Sequence, residues 1–176
     1  QCPIIPDFEN EDTNCFHPQN FDGIFRGPAP MKQALAESLN IPAVKTLYLA
    51  GIQNVLKNTS AFGITTLTDP NTYGLSLVLG GGAVKLIDVA EAYGVLAQEG
   101  THHNRTMVLE IKNTKGLILE SFTDRAETVI DAQYPRLINN ILSDIELRSA
   151  LFQGSLNLTT FPDSDVAMKT GTSNDY

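Results

Sequence analysis

The 176-residue chain is 42% hydrophobic and 18% charged, with 13 Gly and 9 Pro. That is about one domain's worth of sequence with a packable core and no low-complexity signature. The formal net charge of −8, with twelve Lys and Arg scattered along the chain, argues against a nucleic-acid partner, because phosphate binding needs a basic face. A small or neutral-to-cationic substrate fits better.

Residues 1–30 are rich in proline, with Asn20, Gly23 and Gly27 interspersed, and are predicted as irregular coil lying on a surface. Cys2 and Cys15 flank a Pro- and acid-containing stretch with no His or Cys at metal-ligand spacing. No metal or cofactor is expected there. A disulfide and a pair of free thiols both remain open.

Met31, Ala34, Leu35 and Leu39 predict a first helix from near Pro30, ending before Pro42 because the residue preceding a proline is disfavoured in the α region. A second helix is predicted to restart at Pro42. Its apolar stripe, Val44, Leu47, Tyr48, Ile52, Val55 and Leu56, crosses Gly51, giving two short packed helices that end at Gly63. Residues 75–84 form a nearly apolar run containing three consecutive glycines, about half the ~20 residues of a membrane-spanning helix.

Leu86, Val89, Ala90, Tyr93, Leu96 and Ala97 predict an amphipathic helix stopped by Gly100. His102 and His103 are adjacent, point apart in any regular structure, and read as loop residues. Residues 107–111 and 117–122 flank Asn113-Thr114-Lys115-Gly116 and predict a β-hairpin. A helix is predicted over 132–147, burying Leu137, Ile138, Ile141, Leu142 and Ile145. A loop with Pro162 then leads to a short strand over 165–171.

Two motifs suggest chemistry. Lys169-Thr170-Gly171-Thr172 is rare by chance. Gly in a strand lets a ligand backbone lie alongside, the Lys ammonium draws a carboxylate, and Thr hydroxyls complete the hydrogen bonds. Ser-x-Asn is far more common by chance and occurs twice, at Ser38-Leu39-Asn40 and Ser155-Leu156-Asn157. The first sits at a proline-enforced break between helices, where side chains can project into a cleft, and is preferred. The second is read as coincidence.

In this order the motifs resemble the transpeptidase domain of penicillin-binding proteins, whose set is Ser-x-x-Lys, Ser-x-Asn and Lys-Thr-Gly. The phrases "FHPQNFDGIFRGP", "ALAESLNIPAVKTLYLAG", "YGLSLVLGGGAVKLIDVAEAYGVLAQEGTH" and "MKTGTSNDY" are similar to class A, bifunctional members over nearly the whole chain. No Lys of the chain has a Ser three residues before it. The resemblance therefore implies residues 1–176 as part of a transpeptidase domain, with the nucleophilic Ser-x-x-Lys segment and a glycosyltransferase domain expected upstream. The implied fold is α+β, a mainly helical part with a β-hairpin, the Lys-Thr-Gly strand and an incomplete sheet.

The resemblance further implies D,D-transpeptidation of peptidoglycan stem peptides ending in D-Ala-D-Ala, by acyl transfer through a serine that β-lactam antibiotics also acylate. Ser38, Asn40 and Lys169 would be catalytic; Thr170, Gly171 and Thr172 would bind substrate. No cofactor and no nucleic acid are implied. The parent would be membrane-anchored through an N-terminal helix and act on the extracytoplasmic, periplasmic face. The alternatives are a serine β-lactamase or D,D-carboxypeptidase, for which no Glu-x-x-Leu-Asn stretch is found, and a non-catalytic module that binds wall peptides.

Overall fold

A computed structural model of the chain describes Asp12 and residues 15–171. Cys15 is disulfide-bonded; Cys2 lies outside the described residues, as does Thr172. Among the described residues, six α-helices and two small two-stranded sheets make an α+β arrangement that is mainly helical. Among the described residues no helix is long and apolar enough to cross a membrane.

Helix α1 (Met31–Ala36) is shorter than its apolar spacing suggests. Pro42 does not end it. The Ser38 amide donates to the Leu35 carbonyl at 3.1 Å and the Leu39 amide to the Ala34 carbonyl at 2.9 Å, while Ser38 takes φ 57°. This paired closure with a left-handed residue is a Schellman cap. Helix α2 (Asn40–Ala50) then begins two residues before Pro42, not at it. The proline is tolerated because a first-turn amide has no intrahelical acceptor in any case. Gly51, at φ 79°, separates α2 from α3 (Ile52–Ala61), as the sequence predicts.

The apolar run contains a 3₁₀ turn, Leu75–Leu79, that packs on α2. Helix α4 (Leu86–Ala97) ends in a second Schellman closure: the Gly100 amide donates to the Val95 carbonyl at 2.8 Å with Glu99 at φ 52°. Strand β1 (Thr101–His102) follows at once. Strands β2 (Glu110–Lys112) and β3 (Ile118–Ser121) form the predicted hairpin, pairing Glu110 with Ser121 and Ile111 with Glu120. Its turn is fastened by the Asn113 side-chain oxygen, which accepts from the Lys115 and Leu117 amides. Strand β4 (Glu127–Thr128), not foreseen, pairs antiparallel with β1.

The helix predicted over 132–147 is two helices, α5 (Gln133–Ser143) and α6 (Ile145–Phe152). Asp144 breaks the run because its carboxylate accepts from the Leu147 amide at 3.0 Å, an N-cap that starts a new helix. Of the residues expected to be buried, Leu142 is, whereas Leu137 and Ile145 are exposed. Residues 155–157 lie in a 3₁₀ turn, Gln153–Thr159, rather than a loop. The strand expected over 165–171 has no ladder partner among the described residues. One backbone bond ties it down, from the Met168 amide to the Leu142 carbonyl at 3.1 Å.

Ala34, Ala36, Leu39, Val44, Leu47, Leu56, Leu67, Val95 and Leu142 form the core. Helix α1 packs on α2, α5 and α6, and α4 packs on α5. The residues after α1 and those after α6 thereby come together.

Candidate active site

Ser38 and Lys169 are 131 positions apart, and the fold brings them into contact: Lys169 Nζ donates to Ser38 Oγ at 2.6 Å. The ammonium also donates to the Thr170 carbonyl at 2.8 Å. These bonds hold the Lys169 side chain against the α1–α2 corner. Burial pushes the Lys169 pKa down, because removing the ammonium from water disfavours its charged form. A lysine held this way gives up its proton more readily than an exposed one, and a hydroxyl stands at its tip to receive or relay it.

Ser38 faces Lys169 because of how α1 ends. As the left-handed residue of the Schellman cap, it leaves the helix direction abruptly. Behind it, the buried Glu37 carboxylate accepts from Gln33 Nε2 at 2.7 Å and has Arg26 Nε at 4.0 Å. Arg26 is in turn paired with Asp22, which holds that carboxyl down to about 2. The coil before α1 thus braces the corner from its far side.

Asn40 is placed differently from Ser38. Its amide donates to the Gln19 carbonyl at 2.8 Å, while buried Asn20 accepts from the Ile41 amide at 3.2 Å and donates to the Ile24 carbonyl. Residues 19 and 20 therefore grip the start of α2. Thr170 is half-buried and Gly171 exposed, with nothing within 4 Å of where a Cβ would project from Gly171. That open backbone leaves room for an extended ligand chain. Ser155, of the second Ser-x-Asn, bonds the Phe152 carbonyl within its own turn, and no bond joins it to Lys169.

A second polar cluster lies on α4. Asp88 is fully buried, accepting from the Thr65 amide at 3.0 Å, the Thr65 hydroxyl at 2.7 Å and Arg105 at 2.7 Å. The Thr65 bonds and Arg105 hold its carboxyl well below the usual carboxylate range. One turn on, Glu91 meets Arg105 at 2.9 Å and His102 Nε2 at 2.6 Å. His103 turns the other way, to Asp124 at 2.5 Å. The histidines do point apart, but His102 belongs to strand β1 rather than a loop. Among the described residues no group of three or more His, Cys, Asp or Glu is set to hold a metal ion. Sequence periodicity marked α4 as core but could not reveal this cluster, because Asp88 and Arg105 meet only through the fold.

No protein-family model matches the chain. Among curated proteins it is similar to penicillin-binding protein 1A of Neisseria flavescens, 27% identical over 178 residues, covering 98% of this chain and 22% of that protein. It is 39% identical over 89 residues to penicillin-binding protein 1C of Escherichia coli, covering 50% of this chain and 12% of that protein. The chain therefore spans about a fifth or less of the length of these relatives. Among solved structures, penicillin-binding protein A from M. tuberculosis, in its imipenem acyl-enzyme complex, superposes with a TM-score of 0.65 at 16% identity. That likeness, over 88% of this chain and 39% of that one, is one of fold. In sequence the chain is similar to part of penicillin-binding proteins, and in fold to their transpeptidase domains.

Proposed function

Starting from a chain that is similar in fold to part of a penicillin-binding-protein transpeptidase domain, we propose that it forms one wall of a peptidoglycan D,D-transpeptidase active site, the nucleophilic serine coming from a Ser-x-x-Lys segment outside residues 1–176. The observation that carries the reading is the 2.6 Å Lys169–Ser38 hydrogen bond, which unites the two motifs across 131 positions.

The serine oxygen gives up its hydroxyl proton and attacks the carbonyl carbon of the penultimate D-Ala, the peptide bond to the terminal D-Ala breaks, and a proton passes to the departing amine. The resulting ester is then attacked by an amine of a neighbouring stem, which returns the serine and leaves a new peptide bond. Ser38, within reach of Lys169, relays the proton to the leaving amine. Lys169 supplies positive potential for the substrate carboxylate, which Thr170 and Thr172 bind. Gly171 admits the peptide as an added strand, and the Thr172 amide serves as half of the oxyanion hole. Asn40 bonds the substrate peptide group, exchanging its Gln19 partner as substrate enters. The site then lies on the extracytoplasmic face of the membrane.

The test is acylation of the complete protein by benzylpenicillin, followed by intact mass and adduct mapping. One adduct on a serine before residue 1 is expected. Ser38→Ala and Lys169→Ala should each slow its formation by about 10²–10⁴-fold, the usual contribution of a positioned proton-transfer group. A complete protein that takes no adduct overturns the reading.

A further inference from the structure

Arg148 of α6, 3% exposed, is the one buried arginine among the described residues, and it has no carboxylate in ion-pair contact among them. Its Nη1 donates to the Leu142 carbonyl at 2.6 Å and its Nη2 to the Thr159 carbonyl at 3.2 Å, while its Nε is buried without a hydrogen-bond partner. A buried cation satisfied only by carbonyls is a costly way to fill space, and an apolar side chain of similar volume would do so more cheaply. What the guanidinium offers is a rigid planar fork that fixes two backbone oxygens in relation to each other.

Those oxygens matter because of what else they hold. The Leu142 carbonyl also accepts the Met168 amide, the single backbone bond that ties down residues 165–171. Leu142 and Arg148 lie on either side of the α5–α6 break, and both helices pack against α1, whose cap presents Ser38. One corner thus supports both halves of the Lys169–Ser38 contact.

We propose that Arg148 is a positioning residue for Lys169, setting, through the Leu142 carbonyl that it shares with Met168, the segment from which Lys169 reaches Ser38. The importance of this for catalysis rests on the function proposed above; the positioning itself does not.

The experiment compares Arg148→Met and Arg148→Lys with the wild-type full chain by amide hydrogen exchange and by a pH titration of ¹³C-labelled lysine, with Lys169 assigned through Lys169→Arg. In Arg148→Met, exchange of the Met168 amide should quicken at least tenfold while the Gly100 amide, bonded to Val95 in α4, keeps its rate. The Lys169 titration should move up towards that of an exposed lysine, and Arg148→Lys, which keeps the charge but not the fork, should show a smaller change in the same direction. Equal quickening at Met168 and Gly100 would mean general destabilisation and overturn the proposal, as would an unmoved Lys169 titration. If Arg148→Met does not fold, the same criteria apply to Arg148→Lys. Loss of penicillin acylation in the complete wild-type protein would overturn the function and leave this result standing.

Discussion

Ser38 stands at φ 57°, where an L-residue is strained and glycine is not. Helices that end this way usually carry Gly at that position. With the bond to Lys169 removed in both, Ser38→Gly should therefore be about 1 kcal/mol more stable than Ser38→Ala, and should slow acylation of the complete protein as Ser38→Ala does. Urea unfolding alongside penicillin binding checks both halves, and a Ser38→Gly chain no more stable than Ser38→Ala would refute the strain argument. Lys169 gives a pH signature of its own. Burial lowers its folded pKa below the unfolded value of about 10.4, so between the two the unfolded chain binds more protons and stability rises with pH. In thermal melts from pH 7 towards 10, the wild type should gain on Lys169→Met. A constant difference would mean that the buried amine does not titrate as described. Both residues were legible in the sequence because rare or ordered motifs carry them. Arg148 was not, since its partners are backbone carbonyls and backbone oxygens leave no trace in residue identity.

Elements were read correctly where one local cause fixes them, as at Gly51 between α2 and α3 and at Asn113 in the hairpin turn. They were misread where a polar side chain overrode apolar spacing. At 132–147 the spacing runs unbroken, yet the Asp144 carboxylate caps the Leu147 amide and splits the run into α5 and α6. The same carboxylate thus sets the corner on which Arg148 and Leu142 meet. Asp144→Ala should cost about 1 kcal/mol, the usual value of a lost N-cap, in chemical denaturation of the chain. Asp144→Asn, which keeps an accepting oxygen, should cost much less. Equal losses in both would show that the charge, rather than the cap, matters at this position. Strand β4 escaped notice for a different reason: two residues carry no periodicity, and their pairing is dictated by β1 emerging from the α4 cap.

At the scale of the whole molecule, two carboxylates join segments that are distant in sequence and two others fasten local stretches of coil. Asp88 fastens the stretch after α3 to α4 and to Arg105, and Glu99 joins the end of α4 to α5 through Arg136. Asp22 braces the coil before α1 through Arg26, and Asp69 accepts from the Asn71 amide. All four have pKa values lowered by these bonds. A carboxyl with a depressed folded pKa contributes stability that is fully present above its unfolded value, about 4, and is lost as pH falls through the folded value. The chain should therefore lose stability below about pH 4, despite relief of the self-repulsion that its net charge of −8 causes at neutral pH. Comparing the wild type with Asp88→Asn isolates the dominant carboxyl, because the repulsion is nearly common to both. At pH 7 the wild type should melt higher, since the amide cannot replace the charged contact to Arg105. The gap should narrow as pH falls below 4, because the unfolded wild-type chain then takes up a proton at this side chain while the folded carboxylate stays charged. A gap independent of pH would mean that Asp88 holds these segments together by shape rather than by charge, and that acid sensitivity originates elsewhere.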